Sequence, residues 1–137
     1  MRNVTRRSAI AVTAAATVLA AGAGSARAQG PALNTPPGNL PKGVSRKELG
    51  KRDAMMPGYK NVQMVDLVYE PGAKTDNPSM PSDMVCHVPQ GELRIKQGST
   101  QFTAKTGDVW TCKKGDPEAV ENAGNTAAIM RVIQLLA

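Results

Sequence analysis

The chain has 137 residues, enough for one domain with one modest core. Lys and Arg outnumber Asp and Glu by 17 to 11, but one Trp, two Tyr and one Phe supply too few aromatics to interleave with the basic residues as a nucleic-acid surface does. One His and two Cys exclude the common zinc-finger spacings.

Residues 1–28 read as a signal peptide. Arg2, Arg6 and Arg7 make a basic start, Ala9 to Ala23 is an apolar run of signal length, and Ala26-Arg27-Ala28 is a small-x-small cleavage site. The run is too short and too rich in Ala to span a bilayer, so no stable membrane anchor is expected. Thr5-Arg6-Arg7-Ser8-Ala9-Ile10 matches a twin-arginine signal, with Ala9 where Phe is usual. The expected location is therefore periplasmic or secreted. Removing the signal takes four arginines and no acid, leaving 13 basic against 11 acidic residues, a net +2. The excess basicity of the whole chain thus belongs to the leader and points to no polyanionic partner.

Residues 29–60 read as an extended N-terminal arm. Pro and Gly dominate 29–43 with no apolar period. A short strand or arm follows, with a basic stretch Arg46-Lys47-Glu48-Leu49-Gly50-Lys51-Arg52 that reads as a solvated face, then the turn Met55-Met56-Pro57-Gly58.

From residue 61 to the end the pattern is β. Val62 to Val68 alternates and ends at Glu70-Pro71-Gly72. Val85 to Val88, Glu92 to Lys96, Gln101 to Ala104, Val109 to Cys112, Glu118 to Glu121 and Ala127 to Leu136 are the remaining expected strands, separated by Gly, Asn and Asp turns. Short strands about ten residues apart predict an all-β sandwich or barrel. Strand parity puts Met84, Cys86 and Val88 on the inward face and His87 on the outer one. Cys86 and Cys112 are either one disulfide or two buried thiols.

Two spacings carry a family resemblance. Gly72, Pro78, Met80, Met84 and Gly91 fit the first cupin motif, G-x5-H-x-H-x3-E-x6-G, without a gap. Gly107, Lys113, Gly115, Glu118 and Asn122 fit the second, G-x5-P-x-G-x2-H-x3-N. The chain therefore resembles the cupins over about residues 60–136. The resemblance implies a small jelly-roll barrel, preceded here by the signal peptide and the Pro/Gly-rich arm, whose interior holds a ligand or a metal. A homodimer through the sheets is implied in the same way.

Every metal-ligand position of the family is changed. Pro78 and Met80 replace its first two His, Met84 its Glu, and Glu118 its last His. The usual iron, manganese or nickel site is dismantled, and no cofactor of that kind is expected. Met80, Met84, Cys86, Glu118 and Trp110 are then the expected barrel interior and the candidate ligand-binding residues. Three functions follow. The first is an exported cupin-like protein that holds a small molecule in its barrel. The second is a divergent enzyme with Glu118 as its acid/base group or with an atypical metal, since a carboxylate in an apolar interior is costly unless paired. The third is a periplasmic soft-metal binder taking copper through Met80, Met84 and Cys86, with Glu118 as a further donor. For the lone His87, a structural role on the outer face is expected.

Overall fold

A computed structural model describes residues 40–137, and nine strands form within them. Residues 1–28, which the sequence suggests are a signal peptide, and residues 29–39 of the expected arm lie outside the described residues. The strands are β1 (Val44–Asp53), β2 (Asn61–Tyr69), β3 (Lys74–Asn77), β4 (Asp83–Gln90), β5 (Glu92–Gln97), β6 (Thr100–Lys105), β7 (Val109–Cys112), β8 (Glu118–Glu121) and β9 (Ala128–Leu136). No helix occurs among the described residues, so none there is long and apolar enough to cross a membrane.

Two antiparallel sheets enclose the core. One has the strand order β1-β2-β9-β4-β7 and the other β3-β8-β5-β6. The alternation seen in sequence is the burial pattern. Met84, Cys86 and Val88 of β4, Leu93 and Ile95 of β5, and Ala128, Met130 and Val132 of β9 face inward and are buried, while their neighbours are more exposed. Each large apolar side chain sealed in this way contributes roughly 1.5–3 kcal/mol. Val65, Leu67 and Tyr69 of β2 close the same core.

β1 lies within the stretch read as an arm. It pairs with β2 from Val44↔Tyr69 to Asp53↔Asn61, with a bulge between Glu48 and Gly50. Its sequence hides this because Arg46, Lys47, Glu48, Lys51 and Arg52 break the apolar alternation. A charged, bulged strand is suited to the sheet edge that β1 occupies.

β3 has a similar explanation. Lys74-Thr75-Asp76-Asn77 has only polar residues, and its strand depends on pairing with β8, from Lys74↔Glu121 to Asn77↔Glu118. β9 is a strand throughout, as its β-branched residues indicate. β4 slips its register against β9 between His87 and Gln90, where Pro89 has no N–H to give the ladder. There the backbone of Val88 turns to the β6–β7 connection instead, donating to Asp108 O and accepting from Gly107 N.

Candidate functional site

Five side chains from four strands meet at one end of the barrel. Cys112 is the last residue of β7 and Glu118 the first of β8, with the loop Lys113–Pro117 between them. That loop is clamped by the segment ahead of β4. Met80 N donates to Asp116 O at 2.9 Å and Gly115 N to Met80 O at 2.9 Å, while Lys114 N donates to Asp83 Oδ1 at 2.8 Å. The positive φ of Gly115 lets the chain reverse there. Glu118 is thereby turned back toward Cys112 and is only 1% exposed.

One carboxylate oxygen gathers the neighbouring donors. Glu118 Oε2 accepts from Cys112 Sγ at 2.8 Å, Gln97 Nε2 at 3.0 Å and Trp110 Nε1 at 3.1 Å. Gln97 Nε2 also lies 3.0 Å from Thr111 O and 3.1 Å from Cys112 Sγ. With two hydrogens it cannot serve all three acceptors at full strength. Cys86 Sγ stands 3.8 Å behind Cys112 Sγ.

Glu118 therefore rests on neutral donors. Among the described residues no Lys or Arg forms an ion pair with it. Its other oxygen, Oε1, is buried and accepts no hydrogen bond from the described residues. An unsatisfied buried acceptor costs about 1–3 kcal/mol, more when charged, so a group brought to Oε1 would recover that cost.

The thiol of Cys86 is held well above the ordinary thiol range, first by its bond to Cys112, then by burial and by the charge of Glu118. Burial also pushes up the phenol of Tyr69, with the Glu118 charge adding to the effect. Tyr69 stays neutral and shares its hydroxyl with Thr75 Oγ1 at 2.8 Å.

Cys86, Cys112 and Glu118 each offer a donor atom, and these atoms lie within 4.8 Å of one another. Of the residues expected in the interior, Cys86 and Glu118 belong to this cluster. Trp110 touches it through its indole N–H and packs edge-on against Phe102, with ring centroids 5.9 Å apart. Met80 and Met84 are buried in the core. Pro78, aligned with a family ligand position, is exposed instead. His87 is on the outer face, its Nδ1 3.1 Å from Asp108 O.

Two members were not picked out from sequence. For Cys112 the sequence offers a disulfide or a buried thiol; it is a buried free thiol, and its place beside Glu118 is not signalled. Parity within Val109-Trp110-Thr111-Cys112 would have placed it on the face of Trp110. Gln97 ends β5, and nothing in its sequence neighbourhood signals its reach to Glu118.

One cavity reaches two members of the cluster. A cavity of about 310 Å³ is lined by Gln97, Ser99, Thr111, Cys112, Lys113 and Asp116, so it touches both Cys112 and Gln97. A larger one, about 590 Å³, lies at the other end of β5 beside Gly91, Arg94, Lys105 and Asn122. There the buried amide of Asn122 is satisfied, donating to Tyr69 O and Thr126 O and accepting from Gly124 N. The smaller cavity is the one beside unspent chemistry.

No protein-family model matches the sequence, and neither does any curated protein. Solved structures do match in fold. The Cupin_2 domain of an XRE-family transcriptional regulator from Enterobacter cloacae aligns with a TM-score of 0.59 at 15% identity, over 70% of this chain and 99% of that one. An RmlC-like cupin from Shewanella frigidimarina aligns at 0.56 and 17% identity, over 69% and 78%. A conserved protein with a double-stranded β-helix domain from Klebsiella pneumoniae aligns at 0.57 and 18%, over 69% and 77%.

Proposed function

We propose, for a chain that has the cupin fold, that it is a binding protein whose small ligand sits at the Glu118 end of the barrel. The observation that carries this reading is the buried Oε1 of Glu118, which no described residue bonds, on a side chain whose partners Gln97 and Cys112 line a cavity of about 310 Å³. A ligand there must bring a hydrogen-bond donor or a cation to the carboxylate. Met80 and Met84, packed into the core, would form the apolar floor beneath this ligand. Residues 1–28, read as an export signal, support a periplasmic or secreted setting. A homodimer is the matching assembly proposal. Val62, Met64 and Ile133 line an apolar cleft of about 290 Å³ on the five-stranded sheet, and sedimentation of the full chain tests whether a second copy covers it.

The sole Trp reports on this site, since its indole N–H is bonded to Glu118. The full chain, purified without denaturation, is expected to carry an extra non-covalent mass that denaturation removes. Releasing that ligand should shift the emission of Trp110, and Glu118→Gln should abolish both effects. A native mass equal to the chain mass, with Trp110 emission unchanged by mild denaturation and refolding, overturns the reading.

A second reading makes Glu118 an acid/base group of an enzyme. It is favoured by the 2.8 Å contact from Cys112 Sγ to Oε2, across which a proton can pass. It requires a turnover that Glu118→Gln abolishes while the fold persists.

A further inference from the structure

The geometry points to a thiolate–carboxylate site for Zn2+ or a similar thiophilic divalent ion, held by Cys86, Cys112 and Glu118. The inference rests on the binding-protein reading above and names the chemistry of the ligand.

The sulfur spacing is the first argument. Two thiolates bound tetrahedrally at about 2.3 Å from one ion stand about 3.8 Å apart. Cys86 Sγ and Cys112 Sγ are 3.8 Å apart. Disulfide sulfurs would be about 2.05 Å apart, so the pair is a thiol–thiol contact whose spacing also matches two thiolates on one ion.

The carboxylate is the second. A tetrahedral sulfur and oxygen on one zinc are about 3.5 Å apart. Cys112 Sγ to Oε2 is 2.8 Å, the length of a thiol-to-carboxylate hydrogen bond. When Cys112 gives up its proton to bind the ion, that bond disappears. Oε1, which has no partner among the described residues, is then free to ligate while Oε2 keeps Gln97 and Trp110. Those two bonds would orient the ligating carboxylate.

The charge of the donor set chooses the ion. Two thiolates and a carboxylate carry three negative charges in a buried site, and a divalent ion offsets more of that charge than Cu(I) does. This donor set differs from the Met80, Met84 and Cys86 set expected for copper and suits a divalent ion instead. Three protein donors leave the fourth tetrahedral position to water or a small ligand arriving through the cavity that Cys112 lines.

The test uses the full chain, reduced and stripped with a chelator, then titrated with Zn2+ and with Co2+. Bound Co2+ is expected to show sulfur-to-metal charge-transfer absorption and the visible bands of a tetrahedral site. Cys86→Ser and Cys112→Ser should each weaken Zn2+ binding by more than about tenfold, Gln97→Leu by about 10–100-fold, and Met84→Leu not at all. Circular-dichroism melting of the metal-free variants checks their fold, and where a variant does not fold the Co2+ spectrum of the wild type decides. Saturation with Co2+ without sulfur charge transfer, or equal Zn2+ affinity in folded Cys86→Ser and wild type, overturns the inference. An organic mass retained by a protein that binds neither ion would leave the binding-protein reading standing and remove only the metal. Absence of both would remove both.

Discussion

Cys86 and Cys112 sit diagonally across the β4–β7 ladder. Cys86 is registered opposite Trp110, and Cys112 opposite Met84. Diagonal neighbours on an antiparallel pair are usually about 7–8 Å apart at Cα, beyond the usual disulfide span of about 4.4–6.8 Å. Side chains leaning together bring the sulfurs to 3.8 Å, and closing the rest would require movement of the β7 end that the Met80 clamp on the next loop resists. Both thiols are therefore expected to persist even in an oxidising compartment. Alkylation of the denatured protein, isolated without reductant, should add two labels per chain. A protein that takes no label until it is reduced would show that the ladder yields and that the pair is a disulfide.

Gly91 marks the turn where β4 becomes β5, at φ +83°. A Cβ there would stand 2.8 Å from both Cα and Cβ of Ala128, in the central strand β9. Gly72 has nearly the same φ, +80°, but a Cβ there meets nothing within 4 Å. Gly72→Ala should cost only the left-handed backbone strain, about 1–2 kcal/mol. Gly91→Ala adds a backbone clash and should cost more, about 2–4 kcal/mol in all. Urea unfolding of the two variants measures the difference. Equal costs would mean that β9 shifts freely at Ala128.

The same contrast shows what was legible in the sequence. Gly72, Gly91 and Gly107 all have positive φ, and their spacing is the part of the two motifs that survives intact. Parity along Met84-Val85-Cys86-His87-Val88 gave the inward face correctly because one side of that strand is solvated. β3 and β1 were hard to read, since polar strands depend on partners far away in sequence. The site was half legible. Glu118 and Cys86 follow from motif position and parity. Their meeting with Cys112 and Gln97 depends on the β7–β8 loop and on the end of β5, which no local period encodes. Pro78 is the opposite case. The motif spacing survives there, but a proline offers no side-chain donor to draw the loop inward, and it faces solvent.

Asp66 and Arg131 are direct cross-strand partners on the outer face of the five-stranded sheet. The guanidinium grips the carboxylate through two bonds, Nε to Oδ1 at 2.8 Å and Nη2 to Oδ2 at 2.9 Å. Their face also carries Met64, Val68, Ile129 and Ile133, so the Asp66 side chain is only 11% exposed, against 35% for Arg131. Arg131→Met leaves the carboxylate without its two donors among apolar neighbours. Discounted for the exposure of the Arg, the cost should be about 1–3 kcal/mol. Adding Asp66→Leu removes the stranded charge and should recover most of it. A thermal-denaturation cycle of the two single variants and the double variant reads this directly. A double variant less stable than Arg131→Met alone would show that the pair does more than satisfy itself.

Asp83 gives the barrel an acid-sensitive tie beside the Glu118 loop. Its carboxylate accepts Lys114 N and the Tyr59 hydroxyl, each at 2.8 Å. The Lys114 bond first, and then the Tyr59 bond, hold its carboxyl below the usual carboxylate range. A depressed folded-state value means that Asp83 contributes stability above the unfolded Asp value of about 3.9 and loses it as pH falls through the folded value. Between about pH 7 and about pH 3, wild type should therefore lose more melting temperature than Asp83→Asn. Tyr59→Phe should lie between them, since it removes the smaller of the two bonds. Because Lys114 N belongs to the loop that turns Glu118 toward Cys112, acid should also loosen the Trp110 contact, seen as a change in emission before global unfolding. Parallel melting curves for wild type and Asp83→Asn across that range would show that the tie to Lys114 makes no difference to acid stability.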